Sequence, residues 1–500
     1  MNVLFIAAEL APLAKVGGLA DVAGALPKAL ISNTTDIRAV MPKYSTITLP
    51  PNAMKLVAEK VPVAFAGTTE YISIFQTTIP DSQVPLYLID NPHYLGTGSI
   101  YFDEITGPEK TKHEAERFLF FSRAAVALPA ALAWYPDIIH CQDWHVGMVP
   151  LIKDVLGKSD PKLAKAKTLL TIHNLEYQGW YTQETVLNLL GFSIADHPVL
   201  ANTKDGMLIS LRQGILTADA LNAVSQAYAE EILTPEYGAK LEGDIATRRA
   251  DLSGILNGID VSIFDPATDP LITKKFSNND RAGKIACKAA LQKTMGLPPA
   301  PEKPLLAIVT RLAQQKGVDL LADIADDIAA MGAQLIVLGT GLETLEKLMT
   351  DAALRHPESI AVRIGFDNAL AHQIYAGSDA FLMPSRYEPC GLGQMIAMRY
   401  GALPIVRATG GLKDTVHEVR ADGTDGEGFV FTELTADAFR SAIQRAITLY
   451  QQPKSWHTVV MHDMELDFSW EASARAYQAL YDKLITTASK PHYANVKKNK

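Results

Sequence analysis

The chain has 500 residues, of which 48% are hydrophobic and 20% charged, with a formal net charge of −9. That length exceeds what one core organises, so at least two domains are expected. The acidic balance argues against a general nucleic-acid binder, and any phosphate site must be locally basic.

Cys141, Cys287 and Cys390 form neither a disulfide framework nor a paired zinc-ligand pattern, which suits a reducing compartment. With no recognisable signal peptide and no 20-residue apolar span, the sequence predicts a soluble cytoplasmic protein without a membrane partner.

Asn2 to Ala8 (NVLFIAA) is a short uncharged apolar run ending at Glu9, as expected of a strand buried on both faces of a parallel sheet. Beyond it, Leu19, Val22, Ala23, Leu26 and Leu30 recur at three- and four-residue steps and predict a helix. Lys15, Gly17 and Gly18 therefore occupy a strand-to-helix corner, where free N–H groups and the helix dipole favour an anion. The same residues also read as a tight turn with a solvated lysine.

Pro50 to Gly107 is rich in Thr, Pro and Gly and reads as a β-excursion. Strands are then expected at PDIIHCQD (136–143), KTLLTIHN (167–174) and DALNAVS (219–225). Their alternation with helical stripes predicts an α/β, doubly wound parallel sheet. QDWH and TIHN put Asp143, His145, His173 and Asn174 at strand ends, where they suit hydrogen bonding to a polyhydroxylated ligand. A metal reading through His140, His145 and His173 lacks zinc-ligand spacing, and any one of these histidines also reads as a satisfied core residue.

A Pro/Asp/Asn/Lys-rich passage between Gly258 and Lys303 marks the domain junction, giving domains over 1–258 and 259–468. After it come strands PLLAIVTRL, AQLIVLG, AVRIGF, DAFLMPS and LPIVRAT, a second Rossmann-like domain. Arg311 and Lys316 in TRLAQQKG, with Gly317 and a following helix over VDLLADIADDIAA, suit a departing diphosphate or form a solvated basic turn. In EPCGLGQ, Gly391, Leu392 and Gly393 offer amides at a helix start, while Glu388 suits a sugar hydroxyl or caps the helix. Phe366 stacks on a nucleobase or packs in the core. A helix over 469–486 is in position to cross back to the first domain, and the basic tail 487–500 reads as disordered.

KVGGLADV, QDWH, TIHNLEYQG, GILNGID, TRLAQQKG and EPCGLGQ, in this order over nearly the whole chain, closely resemble the bacterial glycogen synthase and plant starch synthase family (glycosyltransferase family 5). The resemblance implies the GT-B architecture, two Rossmann-like domains facing across a cleft. It further implies retaining transfer of glucose from ADP-glucose to the non-reducing end of an α-1,4-glucan, with no metal or other cofactor and no nucleic-acid partner. A UDP-glucose or different-acceptor enzyme, a pyridoxal-dependent phosphorylase and a silent glucan-binding scaffold are the competing readings.

By the same resemblance, Lys15, Gly17 and Gly18 hold the donor phosphates and glucose, and Arg311 and Lys316 neutralise the leaving diphosphate. Glu388 binds the donor glucose and supports the oxocarbenium ion, with Cys390, Gly391, Leu392 and Gly393 beside it and Phe366 against adenine. Asp21, Asp143, His173 and Asn257 are sugar or acceptor contacts. The family's usual KTGGL and EPCGLTQ are KVGGL and EPCGLGQ here, so Val16 and Gly393 each lack a hydroxyl. A plant-type chain of this kind would work in the plastid stroma.

Overall fold

The computed structural model describes residues 1–32, 34–50 and 52–487; the basic tail from 488 onward lies outside them. Contacts divide the chain into two units. Among the described residues, the first is 1–224, 229–255 and 470–487; the second is Ser225–Tyr228 and Leu256–Ser469. The change of unit at Leu256 falls at the upstream edge of the Pro/Asp/Asn/Lys-rich passage. That passage ends in a helix of the second unit, Ala282–Thr294.

The first unit carries strands β1 (Asn2–Ile6), β2 (Asp36–Pro42), β3 (Lys55–Phe65), β4 (Thr68–Thr78), β5 (Pro85–Asp90), β6 (Ile138–Gln142) and β7 (Lys167–Ile172). They are followed by β8 (Trp180–Thr182), β9 (Met207–Ile209), β10 (Ala220–Ala223) and β11 (Leu252–Gly254). Nine of them form one sheet in the order β11-β10-β7-β6-β1-β2-β5-β4-β3, and β8 and β9 pair separately. From β11 to β5 all pairings are parallel; β4 and β3 add an antiparallel hairpin at the edge, which is the β-excursion of the sequence. Crossover helices cover the parallel strands, so Val3 to Ile6 and Ile138 to Gln142 are buried throughout.

The helix Trp470–Thr486 closes this unit's core with Trp470, Tyr477, Tyr481 and Leu484. Two hydroxyls fix its rotation. Tyr481 bonds His140 Nδ1 at 2.7 Å, and Tyr477 accepts from Asn222 Nδ2 at 2.9 Å. His140 Nε2 meets the Thr171 hydroxyl at 2.8 Å, so the ring is satisfied at both nitrogens.

The second unit holds β12 (Leu305–Val309), β13 (Gln334–Gly339), β14 (Ile360–Ile364), β15 (Ala380–Met383), β16 (Leu403–Arg407) and β17 (Phe429–Phe431), in the order β14-β13-β12-β15-β16-β17. All its pairings are parallel. The helix expected over VDLLADIADDIAA is two, Val318–Asp323 and Ala325–Ala330, broken at Ile324, whose φ of −111° departs from helical geometry. Hydrophobic periodicity continues across the break because both pieces pack on the same core, so the sequence does not reveal it.

Tyr481→Ala is expected to destabilise the first unit by about 3–5 kcal/mol, the range for deleting a large buried aromatic side chain. Tyr481→Phe should cost about 1–2 kcal/mol, since it leaves the buried His140 short of one partner. Urea unfolding of the full chain followed by tryptophan fluorescence measures both; equal effects of the two variants would contradict this division between packing and hydrogen bonding.

Candidate active site

In a doubly wound sheet, ligands bind beyond the carboxyl ends of the strands where the strand order reverses. In the second unit that point lies between β12 and β15, and the residues following these two strands meet there. Lys316 Nζ lies 2.6 Å from Glu388 Oε2. The Ser385 hydroxyl donates to the same oxygen at 2.9 Å. Glu388 is 6% exposed, so this is an almost enclosed carboxylate compensated by one cation and one hydroxyl.

Gly317 makes the approach possible: its φ is +67°, and a Cβ there would overlap the Pro384 carbonyl. Arg386 is paired with Asp319 at 2.6 and 2.8 Å, and its own N–H donates to the Gln315 carbonyl, tying the two loops together. Arg311 remains exposed, with Nη2 donating to Gln315 Oε1 at 3.2 Å. The helix Gly393–Arg399 is N-capped by Leu392 with no side-chain cap, so Glu388 does not serve as one. Cys390 and Asn257 are buried in the same unit, and Asn257 Oδ1 has no hydrogen-bond partner. Burial pushes the Cys390 thiol up to about 12, so it stays neutral. Phe366 follows Gly365 on the β14-to-helix loop and is 87% exposed, so it is not a core residue.

In the first unit the order reverses between β1 and β6. The KVGG turn follows β1, and QDWH follows β6. Lys15 Nζ is 2.6 Å from Asp21 Oδ1, an exposed pair. The turn amides are not free: Val16 and Gly17 donate to Glu9 Oε2 at 2.6 and 3.0 Å. The sequence marked Glu9 only as the end of a strand. Its role depends in part on Tyr101, 92 residues away, so no local pattern in the sequence points to this arrangement.

Asp143 has φ +66° and ψ −174°, a region almost reserved for glycine and costing roughly 1–3 kcal/mol. It is held by its N–H on the Thr171 carbonyl at 2.9 Å and by its carboxylate on the Trp144 amide at 2.9 Å. Burial outweighs those hydrogen bonds and pushes its carboxyl up to about 8. His145 stacks on Trp144, with centroids 4.1 Å apart, and neither of its ring nitrogens has a partner; burial pushes it down to about 3. His173 bonds Gln142 Oε1 at 2.8 Å through Nε2, and burial pushes it down to about 3 as well. Among the described residues, no group of three His, Cys, Asp or Glu side chains is placed to hold a metal ion.

The starch synthase catalytic domain model matches residues 2–247, and the model for glycosyl transferases group 1 matches residues 296–458. A glycogen synthase of Anaeromyxobacter dehalogenans is 44% identical over 97% of this chain and 99% of its own length. One from Desulforudis audaxviator is 42% identical over 96% of each. The chain belongs to the glycogen synthase and starch synthase family. The solved catalytic domain of starch synthase IV from Arabidopsis thaliana, bound to ADP and acarbose, is 33% identical with a TM-score of 0.87, covering 97% of this chain and 99% of that one. A sucrose-phosphate synthase from Thermosynechococcus elongatus, 17% identical with a TM-score of 0.57 over 97% of this chain and all of its own, shares the fold. Both units are Rossmann-like, as the family's GT-B architecture requires, and the chain is a glycosyltransferase. No helix among the described residues is long and apolar enough to cross a membrane.

Three buried groups of the first unit oppose one another in pH dependence. Buried His140 and His145 have folded pKa values below the ordinary 6.5, so the stability they confer is present above about pH 6.5 and is lost as pH falls. Asp143 has a raised folded pKa, so its contribution is present below about pH 4 and is lost as pH rises to about 8. Asp143→Asn removes only the second effect. Its stability should gain on the wild type by on the order of 1 kcal/mol per pH unit between pH 5 and 8. A difference that does not vary with pH in denaturant titrations would contradict a protonated, buried Asp143.

Proposed function

We propose that the chain transfers glucose from ADP-glucose to the non-reducing end of an α-1,4-glucan with retention of anomeric configuration. The observation that carries this reading is the Lys316–Glu388 pair at the strand-order reversal of the second sheet, with the exposed Arg311 guanidinium on the adjoining loop. Two cations beside a buried carboxylate suit a donor whose diphosphate gathers negative charge while its sugar gathers positive charge. The likeness to a starch synthase bound to ADP and acarbose supports the same donor class and acceptor class.

In this mechanism Arg311 and Lys316 stabilise the diphosphate as the glycosidic C–O bond breaks. Lys316 exchanges its Glu388 partner for phosphate oxygen, which frees Glu388 to face the glucosyl unit and stabilise its oxocarbenium character. Attack comes from the same face, and the acceptor hydroxyl's proton passes to the departing diphosphate, so the configuration is retained. Phe366 offers its exposed ring to adenine. The family resemblance assigns Lys15, Gly17 and Gly18 to the donor, and Asp143, His173 and Asn257 to sugar hydroxyls, Asp143 as a hydrogen-bond donor while it is protonated.

Two side-chain cations do here what a divalent ion does elsewhere, so the reaction needs neither metal nor organic cofactor. The compartment of this reading is the cytoplasm, or the plastid stroma for a plant-type chain, in keeping with three unpaired buried cysteines.

Labelled glucose should pass from ADP-glucose to glycogen and to short maltooligosaccharides in the presence of EDTA. Incorporation from UDP-glucose alone would overturn the donor assignment, and incorporation from neither would overturn the activity. Lys316→Ala should lower kcat about 10²–10³-fold, the usual effect of removing one transition-state charge partner, with glucan binding unchanged; equal losses in both would contradict its role. Phe366→Ala should raise the donor KM about 5- to 100-fold at near-constant kcat, from roughly 1–3 kcal/mol of base stacking. An unchanged donor KM would remove Phe366 from the adenine site.

A further inference from the structure

The geometry points to Glu9 as the positioning residue of the donor turn, an inference that rests on the reading of the Lys15 turn as part of the donor site. Residues 15–18 are exposed, and a Cβ at Gly17 or Gly18 would meet nothing within 4 Å, so side-chain packing does not hold this stretch. What fixes it, besides the exposed Lys15–Asp21 pair and one bond from the Ala20 N–H to the Gly17 carbonyl, is the carboxylate of Glu9. Glu9 is 3% exposed and accepts both the Val16 and Gly17 amides on Oε2.

Its other oxygen accepts the Tyr101 hydroxyl. Burial, with the Glu9 charge beside it, raises the Tyr101 phenol well above its ordinary value and keeps it a proton donor. The segment leading into Tyr101 is in turn held by Arg117 on the helix Gly107–Ala131. The Arg117 side chain is wholly buried and donates to the carbonyls of Tyr94, Thr97, Ser99 and Ile100, the last at 2.9 Å, with its guanidinium 3.9 Å from the Phe102 ring.

Order therefore passes from a core helix through the 94–101 segment to Tyr101, to Glu9 and to two backbone amides. The Gly17–Gly18 turn, which left alone has the widest conformational freedom of any dipeptide, receives its fixed shape from a charge behind it. The Glu9 carboxylate takes up the Val16 and Gly17 amides itself. It does not touch the ligand; it sets where the Lys15 ammonium and the following helix start stand when the donor arrives.

Glu9→Gln keeps the side-chain volume but replaces the charged acceptor of the two amides by a neutral and weaker one, and Tyr101→Phe removes the support behind Glu9 while leaving its charge. In hydrogen–deuterium exchange on the full chain, Glu9→Gln should speed exchange at Val16 and Gly17 at least about 10-fold, with the melting temperature within a few degrees of wild type. In transfer assays it should raise the ADP-glucose KM about 10-fold or more while the glucan KM stays within about twofold, and Tyr101→Phe should shift both readouts in the same direction by less. Unchanged exchange at these two amides in both variants would overturn the proposal, as would donor and glucan KM rising together with a fall in melting temperature. If the wild type transfers glucose from no nucleotide sugar, the functional reading fails, and the exchange measurement still decides whether Glu9 holds the turn.

Discussion

Charge compensation at strand ends is the constraint on which both units are built. Each unit gathers cations and backbone amides beyond its strand ends, and in the folded chain these groups already have partners. Lys316 has Glu388, Arg386 has Asp319, Lys15 has Asp21, and the Val16 and Gly17 amides have Glu9. In surroundings of low dielectric a bare ammonium or amide is costly, and an internal carboxylate removes that cost. Under the proposed function the two lysines exchange partners when the donor binds, while Glu9 keeps its amides. Breaking the exposed Lys15–Asp21 pair costs little, and breaking the enclosed Lys316–Glu388 pair costs more.

The fold explains why these groups meet at all. Residues 72 apart, Lys316 and Glu388, come together because β12 and β15 are neighbours at the one place in their sheet where successive connections run in opposite directions. The turn after β1 and the turn after β6 are related in the same way in the first sheet, which sets Asp143 and Glu9 close enough for the charge of one to raise the pKa of the other. Helices on both faces keep these strands apolar and leave the chemistry to the loops. The strain stored at Asp143 follows the same logic: a fixed carboxyl at a strand end is worth a backbone conformation that most residues avoid.

The sequence conveys the parallel strands well, because strands buried on both faces are written as unbroken apolar runs; NVLFI, IIHCQ and LLAIV all appear where they were expected. Short strands such as Leu252–Gly254 and Phe429–Phe431 have too few residues to show a period, and the break at Ile324 leaves the hydrophobic pattern intact. At the candidate site, Lys15, Arg311, Lys316 and Glu388 stand out in the sequence as charged residues in strand-to-helix turns that contain glycine, and the structure pairs Lys316 with Glu388 and Lys15 with Asp21. Other partners are less legible. Nothing local distinguishes Glu9 from any other acid at the end of a strand, since its role depends on Tyr101, 92 residues away, and on amides seven and eight residues on. The exposure of Phe366 was likewise undecidable from RIGF, where the apolar run continues to its last residue.

The two places where this chain departs from its family's motifs are intelligible in these terms. At position 16 the loss of a hydroxyl leaves the backbone N–H untouched, and it is the N–H that Glu9 engages; the valine side chain is 57% exposed and displaces nothing. At position 393 a Cβ would come 3.0 Å from the Phe381 ring, closer than carbon atoms normally pack, so glycine suits the way Phe381 fills the space behind the helix start. Restoring threonine there would need Phe381 to move by a few tenths of an ångström, and Phe381 lies on β15, the strand that precedes the Glu388 loop. The missing hydroxyl and the ring behind it thus form one local solution, in which glycine keeps the helix-start amide and leaves the Phe381 ring in place.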